Sequence, residues 1–158
     1  MKKRKIIRVI SRVFFVFYMV VLVYFLLLSD GFGRMERYSE YRYNLVPFQE
    51  IMRFVKYRAQ LDDLQVLINL LGNIAAFMPF GALIRWVLNR KVRWYQAVFY
   101  TFLFSLCVEL LQLTARVGVF DVDDLILNTI GGLFGFILYY LLLRINKRSE
   151  NRREGKCI

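Results

Sequence analysis

The charges of this chain avoid four stretches. Residues 13–28, 66–84, 94–113 and 125–143 cover 74 positions and hold one charged side chain, Glu109. The other 34 charged residues crowd into the remaining 84 positions. A hydrocarbon layer about 30 Å thick is crossed by roughly 20 apolar helical residues, so each stretch has spanning length. In 158 residues, 58% of them apolar, there is no room beside these stretches for a soluble catalytic domain. The pattern predicts an all-α membrane protein with four transmembrane helices.

The sign of the flanking charge predicts its orientation. Lys2, Lys3, Arg4, Lys5, Arg8 and Arg12 precede the first stretch, and Arg85, Arg90, Lys91 and Arg93 separate the second from the third. The tail carries Arg144, Lys147, Arg148, Arg152, Arg153 and Lys156. In contrast, residues 29–65 hold six basic and six acidic groups, and residues 114–124 hold one base and three acids. Basic segments stay cytoplasmic, which gives both termini inside and two outer loops. Residues 1–12 then form a basic cytoplasmic N-terminus, 13–143 a four-helix membrane domain and 144–158 a basic cytoplasmic tail. The uninterrupted run Val13–Leu28 is long for a signal-peptide core and no small-x-small cleavage site follows it, so it is expected to be a retained anchor. The net charge of +11 is spread over separate flanks, not one basic face. Nucleic acid is therefore not expected as a partner; the lipid bilayer is, with anionic headgroups meeting the tails.

The composition also removes several chemistries. There is no histidine, the commonest general base and metal ligand. The two cysteines, Cys107 and Cys157, offer no disulfide framework, and Cys157 is too close to the end for a prenylation box. Any reaction would have to run on carboxylates, amides, Arg, Tyr or a bound ion.

Between the first two stretches, Tyr38, Tyr41, Tyr43, Phe48, Phe54 and Tyr57 suit the headgroup layer. Gly31 and Gly33 are expected to end the first helix. Pro47 biases Val46 away from helix, and beyond it Ile51, Phe54 and Val55 share one face, which predicts a short interfacial helix. The second span carries Asn69, Gly72, Asn73, Pro79 and Gly81; Pro79 withholds an amide hydrogen from Ala75 and should kink it. In the fourth, Gly131, Gly132 and Gly135 give a small-xxx-small spacing for close helix approach.

Combining spacing with orientation gathers the polar residues in one layer. Asn69 and Asn73 fall in the outer half of the second span, Glu109 and Gln112 in the last turns of the third, with Arg116 just beyond. Asp121, Asp123, Asp124 and Asn128 open the fourth, and Asn44 belongs to the outer loop. Glu109, Gln112 and Arg116, spaced three and four, share a helix face. The candidate ligand-binding residues are Asn44, Asn73, Glu109, Gln112, Arg116, Asp121, Asp124 and Asn128; Pro47, Pro79, Gly81, Gly131 and Gly135 are assigned to structure. Asp121 is alternatively an N-cap, and Glu109 either pairs with Arg116 or is kept neutral by burial. The oxygens could hold a hard cation, although the acids lack the spacing of an EF-hand loop. Arg116 could instead clamp a phosphate or carboxylate.

These residues carry a resemblance. The runs Asn44-Leu-Val-Pro47-Phe48, Asn73-Ile-Ala-Ala-Phe77-Met-Pro79-Phe80-Gly81 and Ser105-Leu-Cys-Val-Glu109-Leu-Leu-Gln112 occur in order. Arg116, Asp121-Val-Asp123-Asp124-Leu-Ile-Leu-Asn128-Thr-Ile-Gly131-Gly132 and Gly135 follow. Over about residues 40–140 the sequence resembles the VanZ-like family of small bacterial plasma-membrane proteins, named for teicoplanin resistance. The resemblance implies a cell-envelope protein but no established reaction, substrate, cofactor or oligomeric state. Three readings stay open: non-enzymatic binding of a lipid headgroup or lipid-linked cell-wall precursor at the outer layer, a membrane enzyme with Glu109 or Asp124 as base or metal ligand, and a structural or partner-docking subunit.

Overall fold

In the computed structural model the described residues are 2–28, 39–49, 51–52, 56 and 63–154. Four long helices dominate: α1 (Lys2–Leu28), α2 (Asp63–Leu88), α3 (Trp94–Ala115) and α4 (Val122–Glu154). Within them Val9–Leu26, Leu70–Leu88, Trp94–Ala115 and Val122–Asn146 are each long and apolar enough to cross a membrane. The fold is thus the all-α, four-span architecture that the depletion of charge predicts.

The surface is inverted relative to a water-soluble protein. On α3, Phe99, Phe102, Leu103, Leu110 and Leu111 are exposed, while Thr101, Ser105, Glu109 and Gln112 are buried. A lipid solvent rewards this arrangement, because apolar side chains lose nothing by facing acyl chains and polar ones must find partners inside.

The tightest pairing joins α2 and α4, and glycine makes it possible. A methyl group at Gly131 would lie 2.2 Å from the Ile74 carbonyl oxygen, and one at Gly135 would lie 1.8 Å from that of Met78. The two contacts advance by four residues on both helices, so α2 and α4 run parallel with their backbones in touch. Gly81 meets the Gly132 backbone from the α2 side, and Gly132 in turn faces the Thr101 side chain on α3. The α2 helix continues through Pro79. In the same turn the Tyr18 hydroxyl of α1 donates to the Ala76 carbonyl at 2.5 Å, a neighbouring-helix contact of the sort that lets proline persist in a membrane span.

The two ends of the bundle differ in chemistry. Toward the α2–α3 turn the core is apolar: Phe80, Ile84, Val92, Ala97 and Phe136, with Phe15, Tyr18 and Phe104 packed against them. Phe80 and Phe104 stack with centroids 5.2 Å apart. At the other end the buried side chains are polar, and there the loop between α1 and α2 meets the loop between α3 and α4. Strands β1 (Tyr43–Asn44) and β2 (Phe120–Asp121) pair in parallel, Tyr43 opposite Phe120 and Asn44 opposite Asp121. Beyond Pro47 the backbone turns helical at Gln49, Ile51 and Met52, where the Met52 amide donates to the Phe48 carbonyl at 2.8 Å. Phe54 and Val55, which complete the apolar face of the expected interfacial helix, lie outside the described residues, as do Gly31 and Gly33.

Candidate functional site

The polar end is organised around three consecutive decisions of the backbone. First, α3 stops at Ala115 because Arg116 adopts a left-handed conformation (φ 57°, ψ 30°). Its amide and that of Val117 then donate to the Leu113 and Gln112 carbonyls, each at 3.1 Å. These bonds satisfy carbonyls that any helix end leaves open. Second, the chain extends through β2 and pairs with β1. Third, α4 starts at Val122, with Asp121 Oδ1 accepting from the Asp123 amide at 2.8 Å. That is the N-cap geometry considered for Asp121.

Around this frame the carboxylates act as fasteners. Glu109 is 2% exposed, and its Oε2 accepts from the Asp121 amide at 3.0 Å. The Asn44 side-chain amide donates to both Asp121 oxygens at 3.3 Å, and Asn44 Oδ1 accepts from the Val46 amide at 3.2 Å. Asp123, 1% exposed, accepts from the Phe48 amide. Phe48 has a positive φ of 64°, a conformation that a non-glycine residue holds only when its surroundings enforce it. The Asn73 amide donates to Asp124 Oδ1, tying α2 to α4. One network therefore joins Asn44, Glu109, Asp121 and Asp123, and the Asn73–Asp124 pair links the helices beside it.

Three expected members fall elsewhere. Arg116 leaves the Glu109–Gln112 face because its left-handed conformation breaks the helical spacing. Its guanidinium lies 4.6 Å from the Tyr41 ring centroid and donates to the Ser39 carbonyl at 3.3 Å. Gln112 donates to the Leu26 carbonyl at 2.8 Å and so closes the end of α1. Asn128 lies one layer deeper, donating to Ser105 Oγ at 2.9 Å. The Asn128 carbonyl oxygen is buried and has no hydrogen-bond partner among the described residues. The Asn69 side chain lies outside the described residues. Pro47 and Phe48 form the turn after β1.

Residue spacing alone missed Asp123 as a site residue, and with it Ser105 and Thr101. The signal was present: Thr101, Ser105, Glu109 and Gln112 follow a repeat of four, four and three, so the polar stripe of α3 runs inward from Glu109. Among the described residues, no three His, Cys, Asp or Glu side chains group so as to hold a metal ion. The acids instead face separate hydrogen-bond donors.

Four membrane-length helices with an apolar exterior and a buried polar network at one end define a multi-pass integral membrane protein. The VanZ/LLP1 family model matches residues 15–143, from α1 to the end of the apolar part of α4. The chain belongs to that family. Protein VanZ of Enterococcus faecium is 27% identical to it over 153 residues, covering 96% of this chain and 84% of that protein. No solved structure matches the chain.

Proposed function

We propose that this chain is a non-enzymatic protein of a bacterial plasma membrane, with both termini cytoplasmic and the polar network facing outward. There it binds a lipid headgroup or a lipid-linked cell-wall precursor, and so lowers susceptibility to lipoglycopeptides such as teicoplanin. The observation that carries this reading is the latch between the Asn44–Phe48 loop and the Glu109–Asp124 corner. Buried ionisable groups in a membrane span are costly, and their concentration at one end marks a site by default. The loop that they hold carries exposed Tyr41, Tyr43 and Phe48, which suit contact with headgroups and amphiphilic precursors.

A second reading has its own support. The carboxylates accept hydrogen bonds from this chain's own backbone and amides, which is what a purely structural or partner-docking role requires. The two readings separate in cells carrying Glu109→Gln or Asp124→Asn. Under the binding reading, teicoplanin susceptibility rises to that of the deletion strain while protein level and lipid composition stay constant. Loss of phenotype only in proportion to a reduced protein level in the membrane favours the structural reading. Unchanged susceptibility and unchanged drug retention in the deletion strain would end the binding reading. A changed lipid or precursor profile by mass spectrometry would replace it with an enzymatic one.

A further inference from the structure

The opposite end of the bundle holds a second feature, independent of the polar network. A cleft of about 780 Å³ opens where α2 ends, where the chain turns toward α3, and beside the last apolar turn of α4. Four cations line it from all three segments: Arg85, Arg90, Lys91 and Arg144. No carboxylate is among the described residues that line it. Trp86, Tyr139 and Tyr140 complete its walls.

The preference for cytoplasmic cations accounts for basic residues at this end one by one. It does not require them to converge from separate segments on one concavity. Four like charges around a common space repel one another, so gathering them favours an anion between them. Arginine presents a planar fork of donors matched to phosphate oxygens, and lysine adds a point charge. Arg90 is already steadied, with one of its N–H groups donating to the Tyr100 hydroxyl at 2.6 Å. The spans of α2 and α4 end at Leu88 and Asn146, so the cleft lies at headgroup depth. Aromatic walls suit the glycerol and upper acyl region just below a phosphate.

We infer that this cleft is a binding site for a phosphate-bearing anion, the phosphodiester headgroup of an anionic membrane lipid, seated between α2 and α4. Basic pockets between transmembrane helices bind such headgroups in general. Here the ligand would bridge the two helices whose backbones already touch through Gly131 and Gly135, and binding would hold that pair together.

The test uses the full chain purified in a neutral detergent and titrated with short-chain phosphatidylglycerol, short-chain phosphatidylcholine or inorganic phosphate. Tryptophan fluorescence follows both binding, because Trp86 lines the cleft, and thermal unfolding. Phosphatidylglycerol is expected to bind saturably and raise Tm, with phosphatidylcholine far weaker. Replacing two cations in R85Q/R144Q is expected to weaken phosphatidylglycerol binding about thirtyfold. R85K/R144K keeps the charge and should stay within a few-fold of the wild type. K2Q/R4Q, which removes the same charge from the N-terminus, outside the cleft, should weaken binding only a few-fold. Saturation by inorganic phosphate at comparable concentration supports the same phosphate-binding chemistry and identifies a soluble phosphate as its source. Equal binding by R85Q/R144Q and wild type, or equal loss in K2Q/R4Q, overturns the inference. If R85Q/R144Q does not survive purification, an equal wild-type response to the two lipids overturns it.

Discussion

At the scale of single residues, the polar end works by giving buried donors acceptors. Glu109 supplies one to the Asp121 amide, one of several bonds that hold the β2–α4 corner. A buried hydrogen bond contributes about 1 kcal/mol net, and a buried donor left without an acceptor costs about 1–3 kcal/mol. Glu109→Gln keeps an oxygen in place and is expected to cost at most about 1 kcal/mol. Glu109→Ala leaves the amide unsatisfied and should cost more, about 1–3 kcal/mol. Reversible unfolding in detergent checks the order; equal losses would mean that the amide does not depend on Glu109. Ser105 and Asn128 offer a sharper test, since their bond is fully buried. Ser105→Ala alone leaves the Asn128 amide without that acceptor and is expected to cost about 1–3 kcal/mol. Ser105→Ala together with Asn128→Leu removes both partners, and should recover most of that loss. Additive losses would show that Asn128 is held by something other than Ser105. The sequence disclosed which residue types were buried here, through their position in apolar stretches. It did not disclose that Arg116 turns away, because a left-handed conformation at a non-glycine residue leaves no mark in the spacing.

At the scale of elements, helix spans were legible for a simple reason: charge is excluded from hydrocarbon whatever the packing. Partner choice was only half legible. The spacing of Gly131 and Gly135 announced close approach, and the contacts with Ile74 and Met78 assign it to α2. The β1–β2 bridge was not legible at all, since two residues per strand cannot show alternation. The glycines also predict opposite effects for one substitution. Gly135→Ala drives a methyl into the Met78 carbonyl; overpacking of this kind costs about 1–3 kcal/mol, and here both parties are backbone. Gly72 has nothing within 4 Å of an added methyl, so Gly72→Ala should stabilise by about 0.5–1 kcal/mol through helix propensity. Thermal unfolding in one detergent gives both numbers. If Gly135→Ala is neutral, the α2–α4 contact is looser than described.

At the scale of the whole molecule, orientation decides what either end can meet. Among the described residues, the cations Arg12, Arg85, Arg90, Lys91, Arg93 and Arg144 fall on the side of the α2–α3 turn, and Arg42 and Arg116 with Asp121, Asp123 and Asp124 on the side of the β1–β2 bridge. Potential and lipid charge both favour cations inside, so the latch with its exposed Tyr41 and Tyr43 should face out and the basic cleft in. Single cysteines report this directly in intact cells. In a background with Cys107→Ser and Cys157→Ser, Gln49→Cys and Asn89→Cys place thiols at exposed positions on opposite sides of the bundle. A membrane-impermeant maleimide is expected to label Gln49→Cys in intact cells and Asn89→Cys only after permeabilisation. The reverse pattern would set the polar network in the cytoplasm, beyond the reach of an extracellular lipoglycopeptide, and the proposed function would fall with it. The phosphate cleft would survive, because its chemistry needs an anionic headgroup and not a particular leaflet.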